Sequence, residues 1–297
     1  DNTEADRAFR MAASVGDTAE VARLLDEGVS VDSANKFNKT ALMMAVGNGN
    51  LETIALLLSR GAQVNLRTVA GCTALTFAAE NGHAGISALL LERGANVHDR
   101  TRAGWDALMI AARYGYYDIV DQLLFKGADP KASDKEGKTA MMQAAEKGHA
   151  AVVDLIAERG TKPICQDKKG RTALLLAARA GHPEVVAALL DNGADIDTPD
   201  RDGQTALMAA ISFGHPEAAH LLLDRGAAVN LADRDGVTPL MEAAEAGEIE
   251  LVRLLLEHGA DATARDINYR TAAEIAWGRG NREIYDLLQT AKQPQTE

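Results

Sequence analysis

The sequence predicts an all-α repeat solenoid, a one-dimensional stack of about nine helix–turn–helix units. Three observations carry that prediction. Glycines recur every 33 residues in two registers, with no insertion or deletion. One runs through Gly16, Gly49, Gly82, Gly115, Gly148, Gly181, Gly214, Gly247 and Gly280, the other through Gly28, Gly61, Gly94, Gly127, Gly160, Gly193, Gly226 and Gly259. A side-chain oxygen recurs in the same period, at Thr40, Thr73, Asp106, Thr139, Thr172, Thr205, Thr238 and Thr271. Apolar residues make up 46% of the 297 residues but aromatics only 4%, so the apolar mass is Ala and Leu, which suit helices in close contact.

One unit shows the local logic. Asp200-Arg201-Asp202-Gly203 is a turn, with Gly free to take positive φ. Thr205 then caps a short Ala-rich helix predicted over Ala206 to Phe213, and Gly214 ends it in the left-handed conformation. His215-Pro216-Glu217 opens a second helix, with Pro at its first position and an acid at its positive end. Leu221-Leu222-Leu223 supplies that helix's buried face, Gly226 terminates it, and a short extended run is expected over Ala227 to Leu231. Helices this short do not persist alone in water, so neighbouring repeats must supply the stability.

The unit resembles the ankyrin repeat. Its pattern is matched by Asp233-Arg234-Asp235-Gly236-Val237-Thr238-Pro239-Leu240-Met241-Glu242-Ala243-Ala244, then by Leu255-Leu256-Glu257-His258-Gly259-Ala260-Asp261. The resemblance covers residues 5 to 290, with repeats at about 1–33, 34–66, 67–99, 100–132, 133–165, 166–198, 199–231, 232–264 and 265–290 in a single solenoid, and a polar tail over 291–297. It implies helix pairs joined by β-hairpin loops. The family's T-P-L-H histidine is replaced throughout, by Met43, Met109, Met142, Met208 and Met241, by Thr76 and by Leu175. This is similar to the T-A-L-M variant of bacterial ankyrins. Thioether packing is expected where the family has a histidine hydrogen bond. The first unit lacks a hairpin turn, and the last has Tyr269 for the turn glycine and Trp277 where Ala is usual. Both are expected to cap the array.

Several function classes are disfavoured. Catalytic motifs such as a P-loop, H-E-x-x-H or G-x-S-x-G are absent from the sequence, so no catalytic residues and no cofactor are expected. His83, His149, His182 and His215 share one repeat position, where a loop-capping role is expected. His215 and His220 are five apart, not a helical ligand spacing, so no metal site is predicted. The eight methionines, Met11, Met43, Met44, Met109, Met141, Met142, Met208 and Met241, all fall in first helices and should fill the core, those nearest the groove offering an adaptable surface. Cys72 and Cys165 lie about three repeats apart, too far to pair when layers are spaced about 8–10 Å. Free thiols favour a cytoplasmic setting. A periplasmic or secreted one stays open, because the chain starts at Asp1 and a leader could precede it.

The resemblance implies recognition through hairpin tips and the exposed side of the first helices, on a concave face. Those positions hold fifteen basic and six acidic residues, so the face carries +9 and the rest −21 within a net charge of −12. The positive charge is densest in the fifth and sixth repeats, at Lys135, Lys138, Lys147, Lys168, Lys169, Arg171 and Arg179. The fourth adds Arg102 and Arg113 beside Trp105 and Tyr114, with Tyr116 and Tyr117 behind, and Phe213 lies in the seventh. Such residues form interface hot spots. A monomeric, non-enzymatic scaffold follows, whose repeats four to six bind an acidic segment of a partner protein carrying an apolar or aromatic anchor. Arg102, Arg113, Arg171 and Arg179 would pair its carboxylates. The same strip could instead meet nucleic acid or another polyanion, which the −21 remainder opposes. The array could also target a longer enzyme, its lysines could be merely solvated, and Trp105 could pack on its own hairpin.

Overall fold

The computed structural model describes residues 3–291. They contain eighteen α-helices, and extended pairing among them is limited to isolated bridges at Ala34–Thr40 and Ser133–Thr139. The chain forms two compact units, Asp1–Gln143 and Ala144–Glu297.

The first unit holds four helix pairs: α1 (Glu4–Val15) with α2 (Thr18–Asp26), α3 (Ala41–Asn48) with α4 (Leu51–Ser59), α5 (Ala74–Asn81) with α6 (Ala84–Glu92), and α7 (Ala107–Tyr114) with α8 (Tyr117–Phe125). The first helices pack in series, α1 on α3, α3 on α5, α5 on α7. Helix α9 (Ala140–Lys147) contains the boundary. In the second unit follow α10 (Ala150–Glu158), α11 (Ala173–Ala180), α12 (Pro183–Asp191), α13 (Ala206–Ser212), α14 (Pro216–Asp224), α15 (Pro239–Ala246), α16 (Ile249–Glu257), α17 (Ala272–Gly278) and α18 (Arg282–Ala291). There α11, α13, α15 and α17 stack in series, as do α10, α12 and α14.

The period explains the core. Phe9, Leu42, Leu75 and Leu108 occupy one register of the first unit, as Leu174, Leu207 and Leu240 do in the second, and all are buried. Leu24, Leu57, Leu90 and Leu123 form the matching register of the second helices, continued as Leu189, Leu222, Leu255 and Leu288. Buried alanines at Ala45, Ala78 and Ala111 let successive first helices approach closely. Each N-cap behaves as predicted: Thr40 accepts from the Met43 amide, Thr73 from Thr76, Asp106 from Met109, Thr205 from Met208 and Thr238 from Met241. Each such cap is worth about 1 kcal/mol.

Three local expectations shift. The helix opened by Thr205 ends at Ser212, with Phe213 as its C-cap. The run after Gly226 turns at Val229–Asn230 instead of extending. Ala291, assigned to the polar tail, closes α18, and 292–297 lie outside the described residues.

Candidate partner-binding face

One side chain organises each hairpin tip. The Asp134 carboxylate accepts from the amides of Glu136 and Lys138, both at 2.9 Å, and Asp167, Asp200, Asp233 and Asp266 repeat the pattern. Asn35 does the same in the second repeat, while Thr68 and Thr101 each accept one amide. Successive tips are joined by one backbone hydrogen bond: Val69 to the Phe37 carbonyl, Arg102 to Ala70 and Lys135 to Ala103 in the first unit, then Arg201 to Lys169, Arg234 to Asp202 and Ile267 to Asp235 in the second. These bonds use up the backbone and turn the tip side chains to solvent. Lys36, Phe37, Arg102, Lys135, Lys168 and Lys169 are exposed accordingly.

In the first unit the structure brings Trp105, Arg113 and Tyr114 together. They line one depression with Ile110, Cys72 and Glu80. The Arg113 guanidinium lies 5.3 Å from the Trp105 ring centre, and its Nη1 also donates to Gln143 Oε1 at 3.4 Å. Trp105 is half-buried, so it packs beside its own hairpin and still faces the depression. Tyr114, 46% exposed, stacks on Tyr116 at 5.7 Å. Arg102 and Lys135 stand on neighbouring tips, and Lys138 is half-buried and already engaged.

In the second unit Arg179 stacks on Phe213 at 4.4 Å. Arg171 is turned inward: Nε donates to Asp167 Oδ2 at 2.8 Å and Nη2 lies 2.7 Å from the same oxygen, with only 13% of the side chain exposed. It fixes its hairpin. Arg270 holds Asp266 in the same way. Burial opposes charge at Asp266, but the hydrogen bonds from Arg270 prevail and hold its carboxyl below the usual range. Lys147, Lys168 and Lys169 are exposed.

The remaining candidates resolve into structure. The histidines at the shared position make no capping bond to their own helices. They pack on the preceding repeat instead, as His83 does on Gly49 and His182 on Gly148, where its Nε2 lies 3.2 Å from the Glu146 carbonyl. Met43, Met109, Met142, Met208 and Met241 are fully buried where the family pattern has histidine, and the Met43 sulfur accepts from the Thr40 amide at 3.5 Å. Met44 is half-buried and Met11 exposed. Both cysteines are free thiols. Among the described residues there is no group of His, Cys, Asp or Glu able to hold a metal ion, and no helix long and apolar enough to cross a membrane.

Sequence reasoning missed two features. Lys39 lies 4.5 Å over the ring of Phe77, and both line a second depression with Met44, Asn48, Glu80 and Tyr114. Comparing residues 33 apart in mid-helix would have revealed the row to which Met44 and Phe77 belong.

These features define a class: a helical repeat protein whose regular core carries a variable, solvent-facing row of tips and first-helix side chains. The family model for ankyrin repeats (three copies) matches residues 9–101, 108–200, 197–266 and 232–293. The chain belongs to the ankyrin-repeat family, whose members generally serve as protein–protein interaction modules and are generally non-catalytic. No curated protein matches the chain.

Proposed function

We propose that this chain is a non-catalytic scaffold that binds an acidic segment of a partner protein through its hairpin tips and first-helix face. Each unit carries such a face of its own, the first with Arg102, Trp105, Arg113 and Tyr114, the second with Lys168, Lys169, Arg179 and Phe213. The carrying observation is the Trp105–Arg113 stack at 5.3 Å beside half-exposed Tyr114. A guanidinium lying on an aromatic ring is partly desolvated and fixed in position. It meets a carboxylate at less cost than a free surface arginine does, while the rings bury an apolar anchor. Arg179 on Phe213 repeats the device.

The test is a fluorescence-anisotropy titration with a ten-residue Asp/Glu peptide carrying one central Trp. Binding that weakens about tenfold, or about 1.4 kcal/mol, in Arg113→Glu supports the reading. Equal affinity for the Lys-substituted peptide contradicts it.

A further inference from the structure

The mid-helix register of the first unit reads Met11, Met44, Phe77 and Ile110, one residue from each of the serially packed helices α1, α3, α5 and α7. Met11 is 65% exposed, Met44 and Phe77 are half-buried, and Ile110 closes the row. Met44 and Phe77 line one depression and Ile110 lines the other, and the two share Glu80 and Tyr114. The equivalent register of the second unit is Leu176 and Ala209, both buried, then Glu242, whose carboxyl burial pushes above its usual range, and buried Ile275. An accessible apolar floor is therefore special to the first unit.

We infer that this floor is the seat of an acidic amphipathic helix of the partner, with apolar residues at heptad spacing. This rests on the partner-binding reading above and extends it. The stack itself sets the spacing of the anchors. Packed helices lie about 8–10 Å apart, so anchors for successive repeats must recur at that distance. A helix advances about 10 Å in seven residues and returns them to one face. An extended strand covers the distance in about three residues, which puts them on opposite faces. Polyproline II also repeats in register but presents a single line of side chains. The floor is wider than a line. One turn further along the same helices stand Val15, Asn48, Asn81 and Tyr114, all exposed. The second row is apolar at its ends, Val15 and Tyr114, and polar at Asn48 and Asn81, so the two rows together match the apolar stripe of an amphipathic helix with its polar edge alongside.

Charge selects the sign of the occupant. Lys39 lines the depression of Met44 and Phe77 and Arg113 lines that of Ile110, while exposed Lys36 and Arg102 stand on hairpin tips of the same repeats. Lys39 and Arg113 are held over Phe77 and Trp105. Glu80 is the one carboxylate lining both depressions, so a single basic residue of the partner belongs opposite it.

The test uses fluorescein-labelled 21-residue peptides titrated into the whole chain. One is Glu-rich with Leu at heptad positions a and d. The second has the same composition with its leucines redistributed. The third is Glu-rich with Pro and a Leu every third residue. The single-Trp acidic peptide above is the fourth. The inference expects the heptad peptide to bind at least about tenfold tighter than any of the others. It also expects Met11→Asp, at an exposed position that cannot unfold the stack, to weaken that peptide alone at least threefold, and Met44→Asp to do so more strongly. Equal binding of the redistributed or proline peptide, or indifference to Met11→Asp, overturns the inference. Binding of the single-Trp peptide without a heptad advantage overturns the inference and leaves the partner-binding reading standing. Binding of none of the four overturns both.

Discussion

The Tyr116 ring lies in the space that a side chain at Gly82 would need: its Cζ is 2.7 Å from where a Cβ at that glycine would stand. Tyr116 opens the second helix of the fourth repeat and Gly82 ends the first helix of the third. The contact therefore joins consecutive repeats. The same position packs on the same glycine as Asn50 on Gly16, His83 on Gly49 and His182 on Gly148. Here the ring also carries Tyr114, which lines both depressions.

The two glycine registers consequently differ in what substitution costs. Gly82→Ala combines a left-handed backbone, about 1–2 kcal/mol for a residue with a Cβ, with displacement of Tyr116. Its urea midpoint should fall more than that of Gly61→Ala, whose φ of +86 carries the backbone cost but whose Cβ would meet nothing within 4 Å. In a Tyr116→Ala background, Gly82→Ala should cost no more than Gly61→Ala does in the unaltered chain. Equal losses in the two single variants would refute the packing account.

Ser87 is fully buried in α6, and its hydroxyl has no hydrogen-bond partner. Its register holds Val21, Ile54 and Val120 in the same unit. Ser87→Val should stabilise the protein by about 1 kcal/mol or more, since an unpaired buried hydroxyl is removed and apolar area is added. Chemical denaturation would show it, and a lower midpoint would contradict it.

Asp106 is the one carboxylate among the threonine N-caps, and burial raises its pKa, only partly offset by the hydrogen bond from the Met109 amide. A carboxyl whose folded pKa is raised penalises the ionised native state. That penalty is present at neutral pH and disappears as pH falls through the raised value to the ordinary one. Asp106→Thr keeps the capping oxygen. It should raise the melting temperature at pH 7, with a gain that shrinks toward acid. A gain independent of pH would rule this cause out.

Arg171 lies just before α11 and Arg179 in its last turn, and the two do different work. Arg171→Ala removes the pair to Asp167 and leaves a buried carboxylate, so it should cost stability and leave peptide affinity nearly unchanged. Arg179→Ala should lower affinity for an acidic peptide and barely move the denaturation midpoint. The reverse assignment would disprove the role given to each.

The sequence made the repeat readable because every repeat spends its glycine, cap and leucine at fixed positions. Each of those signals is local and recurs. Gly16 to Gly280 and Thr40 to Thr271 therefore located helices to within a residue or so, and the methionine substitutions pointed correctly to buried positions. The charge and the rings of the proposed face were readable by composition, but which of them other side chains engage was not. Nothing in the letter Arg171 says that Asp167, four residues earlier, has captured it, whereas Arg113 and Arg179 remain stacked on rings. The histidines, read as capping groups, contact a glycine 34 residues back, a partner only the stack supplies. The row from Met11 to Ile110 escaped because each member looks like core filling in its own helix.

A charge swap tests the central claim most directly. Affinities of the acidic single-Trp peptide and its Lys-substituted counterpart would be measured for the unaltered chain, Arg113→Glu and Arg179→Glu. The account predicts that the acidic peptide binds the unaltered chain and loses about tenfold at the first unit's face in Arg113→Glu and at the second unit's face in Arg179→Glu, while the basic counterpart gains in both. Affinities unchanged by either reversal would contradict a partner site on the tips and first helices.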